Sequence, residues 1–413
     1  MFLYRIFSIL FLPLIALYIL LRALRGKEHK KRLKERFAFA TLKRPQGEML
    51  WIHAVSVGEA NSALIFVDEL LKKFPKTTVL FTTTTITSAA VLEPKIKAWQ
   101  GRVLHQFFPI DSYITAQKFL NYWQPQKIFF VESEIWPNFI SVARKMEIAT
   151  FLVNARMSQK TYSHWLFAKK FGINVFENFA AIFAQSNEDK DRLQNFSSKE
   201  IYFLGNLKAQ ANNLKYEKSE LRKIGSEIGP RKFWLAASTH KGEEEIVIEA
   251  HKKLKKLFPD ILTIIVPRHP YRATEIKALL HGINFSQRSE GQKIAPQTEI
   301  YLADSLGEMG LFYGLSDVAF VGGSFANVGG HNPFEAIKLN CVVISGEYVF
   351  NFKDIYAKLV ENNCCVMVKN VEELSLAAAK FLRSNQEVRS FVDRALEAIK
   401  GDDDIAKKIM ALL

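Results

Sequence analysis

One pattern recurs along nearly the whole chain: a short apolar, β-prone run, a turn of small or polar residues, then an amphipathic helix. The candidate strands in the first half are Met49–Val55, Thr78–Thr82, Lys127–Glu132, Ala149–Val153, Ala180–Ala184 and Ile201–Leu204. In the second half they are Phe233–Ala237, Leu262–Val266, Ile300–Ala303, Val318–Val321 and Val342–Ser345. Strands that alternate with helices pair in parallel, because each new strand is reached through a crossover. Two such sets in succession predict two doubly wound α/β domains, and 413 residues suffice to give each its own core. The polar stretch from Gly205 to Gly229 separates the sets. Ligands of open α/β sheets sit beyond the carboxyl ends of the strands, so the expected binding place is a cleft between the facing domains.

The net charge of +14 calls for anionic partners without saying which. No RNA- or DNA-binding motif appears, and the phenylalanines read as core, so nucleic acid is not expected. The densest basic run, Arg22 to Arg36, directly follows an apolar stretch from Ile6 to Leu21. That stretch is slightly short for a span, which needs roughly 20 residues. No small-x-small cleavage site precedes the basic run, so an uncleaved anchor is expected rather than a signal peptide. The charges behind it favour an anionic leaflet and a cytoplasmic location for the rest of the chain. Cys341, Cys364 and Cys365 form neither a disulfide framework nor a metal spacing. A reducing compartment fits them, with the vicinal pair in a buried strand.

Polar motifs follow several of the strands. In the second half, FVGGSFANVGGHNPFE (Phe320–Glu335) ends a strand in paired glycines and opens a helix at about Pro333, with Asn332 as N-cap. Free amides at such a start attract a phosphate, and Glu335 is placed to accept from ribose hydroxyls. VPRHP puts Arg268 at a strand end, where its planar fork suits phosphate or carboxylate. ADSLGEMGL opens another helix after Gly307-Glu308, and ASTHKGEE, with His240 and Glu243, resembles a capping box. A dinucleotide fingerprint and a Walker lysine are both missing from this sequence.

In the first half, Glu59 of VSVGE starts a helix whose dipole should keep it ionised, as a base must be. VESEIWPNF places Glu132 and Glu134 at a strand end, NARMS places Arg156 at another, and GNLK offers Lys208. A base on one side and cations on the other suit removal of a hydroxyl proton with stabilisation of a departing anion. No carboxylate pair suits a divalent ion; Asp402-Asp403-Asp404 reads as a solvated cap, so neither metal nor cofactor is expected.

Taken together, VSVGE, TTTT-x-T, ESEIWPN, NARMS, GNLK, STHKGEE, VPRHP, DSLGEMGLFYG and FVGGSFANVGGHNPFEA resemble, in order and spacing, the 3-deoxy-D-manno-octulosonic acid (Kdo) transferases of lipopolysaccharide synthesis. The likeness runs from the N-terminal anchor to FNFKDIY at Phe350–Tyr356. It implies a GT-B glycosyltransferase fold: two Rossmann-like doubly wound domains facing a cleft, plus an N-terminal membrane-anchor helix. Residues 1–26 would be the anchor and basic flank, 27–205 the acceptor domain and 206–413 the CMP-Kdo domain. The implied reaction is inverting transfer of Kdo from CMP-Kdo to lipid A precursor (lipid IVA) at the cytoplasmic face of the inner membrane. By this resemblance Glu59 is the proton acceptor, and Glu132 and Lys208 stabilise the transition state. CMP contacts fall on Pro267 and Arg268, on Leu306, Gly307 and Glu308, and on Asn332, Pro333, Phe334 and Glu335. Leu306 stands where many relatives have Met, a swap that keeps apolar volume. Two alternatives stay open: another GT-B enzyme using a UDP-sugar on a lipid-linked acceptor, and a membrane-tethered sugar-nucleotide-binding protein. The second has no need of a base such as Glu59.

Overall fold

Two parallel sheets organise the chain. The first contains β1 (Met49–His53), β2 (Thr78–Thr83), β3 (Val103–Phe107), β4 (Lys127–Val131), β5 (Ala149–Ala155), β6 (Ala181–Ala184) and β7 (Ile201–Phe203), in the order β3-β2-β1-β4-β5-β6-β7. The second contains β8 (Phe233–Thr239), β9 (Leu262–Pro267), β10 (Phe285–Gln287), β11 (Ile300–Leu302), β12 (Val318–Val321), β13 (Val342–Ser345) and β14 (Val366–Met367), in the order β10-β11-β9-β8-β12-β13-β14. Every recorded pairing is parallel, for instance His53 with Thr82 and Phe130 across β1. The computed structural model describes residues 1–210, 214, 216–400 and 404–413. They divide into two units, Met1–Gln210 with Gly401–Leu413, and Ala211–Lys400. The expected boundary at 205/206 thus differs by a few residues. The C-terminal segment also departs from expectation, since it returns to the first unit, where Lys127 Nζ donates to the Leu413 carbonyl at 2.7 Å.

The interior strands are buried along nearly their whole length and mostly apolar, as in a parallel sheet covered by helices on both faces. Trp51 centres the first core, with the rings of Phe108, Phe119, Phe130 and Phe139 at 6.0, 4.7, 5.6 and 5.5 Å. Its indole N–H donates to Thr82 Oγ1 at 2.9 Å. Trp234 repeats the device in the second unit, donating to Thr263 Oγ1 at 2.7 Å. Three strands were not expected from the sequence: β3, β10 and β14. All three are sheet edges, where one side needs no partner and the apolar signal is weak. Cys364 and Cys365 are buried as expected, but they lie in the loop that leads into β14 rather than in a strand.

At the N-terminus the apolar stretch is not one helix. Phe2–Leu10 and Leu12–Leu24 meet at a 50° bend, and no single helix among the described residues is long and apolar enough to cross a membrane. Pro13, in the first turn of the second helix, lacks the N–H that a continuous helix would use. The basic run behind it is only partly free. Arg36 is buried, pairs with Glu28 at 2.8 Å and donates to the Phe108 and Thr84 carbonyls. Arg32 pairs with the fully buried Glu35, which accepts from Phe107 N at 2.7 Å. These ions fasten the segment to the edge strand β3. Arg25, Lys27, Lys30, Lys31 and Lys34 remain exposed. The Asp402 and Asp403 of the expected solvated cap lie outside the described residues; Asp404 pairs with Lys407 at 3.0 Å.

Candidate active site

Glu59 sits where β1 gives way to the helix Val57–Lys73. Ser56 is the N-cap, accepting from Glu59 N at 3.3 Å, while Glu59 Oε2 accepts from Val55 N at 2.7 Å and Ser56 N at 3.1 Å. This closes a capping box and fixes the carboxylate against the main chain. Burial raises the Glu59 carboxyl above the usual range, and the charges of Glu134 and Glu132 push it the same way; the two accepted amides oppose them. The helix dipole was expected to keep Glu59 ionised; burial and the two neighbouring carboxylates act against it. The Glu59 carboxyl is thereby more basic than that of a surface glutamate.

The two glutamates responsible follow β4. Glu132 is 4% exposed and adopts a left-handed backbone, φ 62°. Lys208 Nζ lies 2.8 Å from Glu132 Oε1. The one-turn segment Leu207–Gln210 that carries Lys208 is held by Asn154, also left-handed at φ 55°, whose Oδ1 accepts from Leu207 N at 2.9 Å. Arg156 contributes its amide, which donates to the Glu132 carbonyl at 3.2 Å. Glu134 Oε2 accepts from Trp136 Nε1 at 2.7 Å and stands 3.4 Å from His53 Nε2. His53 is fully buried, with Nδ1 2.9 Å from Thr82 Oγ1 and its ring stacked 3.9 Å from Phe108. The first unit thus gathers Glu59, Glu132, Glu134 and Lys208, with His53 and Asn154 as supports that sequence reasoning missed. The available signal for His53 was a polar residue closing an otherwise apolar strand.

In the second unit the glycine-rich loop differs from expectation. Glu243, fully buried, accepts from Gly323 N at 2.7 Å, Ser324 N at 2.9 Å, Phe325 N at 2.8 Å and His240 N at 2.9 Å. A protein carboxylate, and not an open phosphate nest, therefore satisfies the first amides of the loop. Glu243 does more than cap its helix. Gly322 has no room for a Cβ, which would meet Ser238 O at 2.7 Å and Glu243 Oε2 at 2.8 Å.

Around that clamp stand the other polar groups. His331 Nε2 is 2.8 Å from His240 Nε2, their rings stacked with centroids 5.1 Å apart, and His269 lies 5.7 Å from His240. Burial, then Arg268 and the neighbouring imidazoles, drive His331 down to about 3. Burial likewise lowers His240. Both rings are neutral at pH 7, so one nitrogen donates and the other accepts. Arg268, exposed, follows the buried Pro267 that ends β9. Asn332 Oδ1 accepts from Phe334 N at 3.1 Å, but the helix is only Phe334–Ile337 and its N-cap is Pro333, at φ −76°, one residue after the expected Asn332. Burial lifts Glu335 to about 7 against the opposing pull of Arg268 and Asn332. Leu306 is 82% exposed and Gly307 has φ 85°. Glu308 is gripped by Arg288, whose Nε donates to it at 3.0 Å and whose other face pairs with Glu220.

The sequence profile of the 3-Deoxy-D-manno-octulosonic-acid transferase (kdotransferase) family matches residues 31–211. A 3-deoxy-D-manno-octulosonic acid transferase of Rickettsia bellii is 33% identical over 415 residues, covering 100% of this chain and 98% of that protein. One from Haemophilus influenzae is 33% identical over 394 residues, covering 93% and 90%. Among solved structures, UDP-GlcNAc 2-epimerase from Neisseria meningitidis matches with a TM-score of 0.63 at 13% identity, over 88% of this chain and 99% of that one. A glycosyltransferase from Rickettsia africae matches with a TM-score of 0.60 at 13% identity, over 89% and 98%. At such identities these two speak for the fold alone, a pair of Rossmann-like units of the GT-B kind. The chain belongs to the 3-deoxy-D-manno-octulosonic acid transferase family and is a glycosyltransferase.

Proposed function

We propose that this chain transfers Kdo from CMP-Kdo to a hydroxyl of lipid A precursor (lipid IVA), with inversion, at the cytoplasmic face of the inner membrane. The observation that carries the reading is the convergence of Glu59, Glu132, Glu134 and Lys208 in the first unit. Glu59 takes the acceptor hydroxyl's proton, the freed oxygen bonds to the anomeric carbon of Kdo, and the bond from that carbon to the CMP phosphate breaks. Both main-chain bonds of Glu59 are accepted by Oε2, so Oε1 is the oxygen assigned to the proton. The ion pair with Glu132 holds the Lys208 ammonium in one place, ready for negative charge that develops in the transition state. CMP contacts are assigned to Pro267, Arg268, Leu306, Gly307, Glu308, Asn332, Pro333, Phe334 and Glu335. The exposed Leu306 side chain offers an apolar surface to the base, and Arg268 a fork to the phosphate.

The N-terminal helices fit an interfacial anchor. Phe2, Leu3, Phe7, Leu10, Leu14, Leu21 and Leu24 are exposed on them, and the free cations from Arg25 to Lys34 suit anionic headgroups. The test is mass spectrometry of tetra-acylated lipid A precursor after incubation with the enzyme and CMP-Kdo generated in situ. A gain of one or more Kdo units is expected. Unmodified lipid would sink the reading, and protection of the enzyme by UDP but not CMP would point to a UDP-sugar donor instead.

A further inference from the structure

The N-terminal helix Phe2–Leu10 does more than present an apolar face. Tyr4 Oη donates to Asp111 Oδ2 at 2.9 Å, and Arg5 Nη2 donates to Ser141 Oγ at 2.5 Å. The Tyr4 ring lies 5.4 Å from that of Phe171, and the Arg5 guanidinium 5.1 Å from the ring of Tyr113. A tether needs none of these bonds. Asp111 is the junction: Oδ1 accepts from Phe139 N at 3.1 Å, Oδ2 from Asn138 N at 3.3 Å, and its carbonyl from Asn138 Nδ2 at 2.9 Å. Those amides open the helix Pro137–Lys145, whose own N-cap, Trp136, supplies no side-chain cap. Asp111 therefore caps it from a separate loop, where a carboxylate also meets the positive end of the helix. Trp136 in turn holds Glu134 through its indole N–H, and Glu134 is one of the two charges felt by Glu59.

We propose that Tyr4 and Asp111 are positioning residues, through which the N-terminal helix fixes the Glu132–Trp136 loop and so forms part of the frame of the active site. This rests on the reading of the preceding subsection, in which that loop takes part in transfer. The experiment uses the full chain with Tyr4→Phe, which deletes one hydroxyl and keeps the ring contact. Transfer is measured on vesicle-borne acceptor and on a water-soluble, de-acylated acceptor sugar, with kcat and KM separated and vesicle flotation run alongside. Expected is a fall in kcat of about tenfold on both acceptors, with flotation unchanged. The acid limb of the pH–rate profile should also move, because Glu134 shifts relative to Glu59. Asp111→Asn provides the second variant and closes a double-mutant cycle: if both act through one bond, the double variant is no slower than the worse single one. A loss confined to vesicle-borne acceptor, an unchanged kcat for Tyr4→Phe, or additive losses in the cycle would each overturn the proposal. A wild-type chain that transfers nothing to either acceptor removes the underlying reading as well, and is told apart by the wild-type control alone.

Discussion

Replacing Glu59 by Gln and by Ala separates two roles that the same carboxylate holds. As a cap, Glu59 accepts from Val55 N and Ser56 N; as a base, it must lose its charge to a proton during transfer. Gln keeps an oxygen for the main-chain amides, whereas Ala removes cap and base together. Loss of a positioned general base lowers turnover about 100- to 10,000-fold, so both variants should be nearly inactive. Their stabilities should differ in sign. The Glu59 carboxyl is raised in the folded chain by burial and by Glu134 and Glu132. A raised folded value means that its contribution to stability is complete below the ordinary carboxylate range and is lost as pH rises through the folded value. Above that folded value an ionised Glu59 is a cost to the fold, and Gln relieves it. Thermal denaturation at pH 7 should place Glu59→Gln at or above wild type. Glu59→Ala should sit lower, since loss of a cap costs about 1 kcal/mol, or about 2–4 °C for a unit of roughly 200 residues. In the wild type the rate should fall as pH is lowered through a value above that of a free glutamate. Turnover of Glu59→Gln within threefold of wild type would leave Glu59 a cap and nothing more. Equal destabilisation of both variants would refute the argument from charge.

Other perturbations follow from the same geometry. Lys208→Met strands the buried Glu132, which should cost about 3–5 kcal/mol in chemical denaturation; adding Glu132→Gln should restore part of that stability but none of the transfer. Glu243→Ala leaves the amides of Gly323, Ser324 and Phe325 without their acceptor. It should destabilise the chain by at least about 2 kcal/mol and weaken CMP binding in calorimetry, whereas a purely local cap would leave CMP affinity alone. Glu335 ionises at about 7, beside the assigned phosphate contact Arg268. Its charge opposes an anionic nucleotide, so CMP affinity should weaken as pH rises from 6 to 8. Glu335→Gln should flatten that dependence; an unchanged slope would place the titrating group elsewhere.

What could be read along the chain was what neighbouring residues decide. The interior strands announced themselves because both faces of a parallel sheet are covered, so runs such as Ile128 to Val131 are apolar without alternation. The edges β3, β10 and β14 did not, being short or carrying polar residues such as His105 and Gln106 in the body of the strand. Glu59 was legible for a similar reason, since Ser56 and Glu59 form a local signal three residues apart. Glu132 and Lys208 were each legible at the end of a strand, but nothing along the chain signals that the two pair, 76 residues apart. Glu243 looked like a cap because its partners in the glycine-rich loop lie 80 residues away.

The least legible feature is the backbone beneath the site. Glu132, Asn154 and Ser238 all stand left-handed at or near strand ends, with φ of 62°, 55° and 55°. Such a conformation costs a non-glycine residue on the order of 1 kcal/mol or more, and persists only when its surroundings dictate it. Here they do. Glu132 is tied by its amide to the Val153 carbonyl and by its own carbonyl to the Arg156 amide, while Asn154 is tied to Leu207. Glycine at these places would relax the turn but remove the carboxylate that holds Lys208 and the amide that holds its loop. Local preference and site therefore pull against each other where the strands end. A motif could name the residues there, but only the packed sheet brings Glu132 to Lys208 and Asn154 to the Leu207 amide.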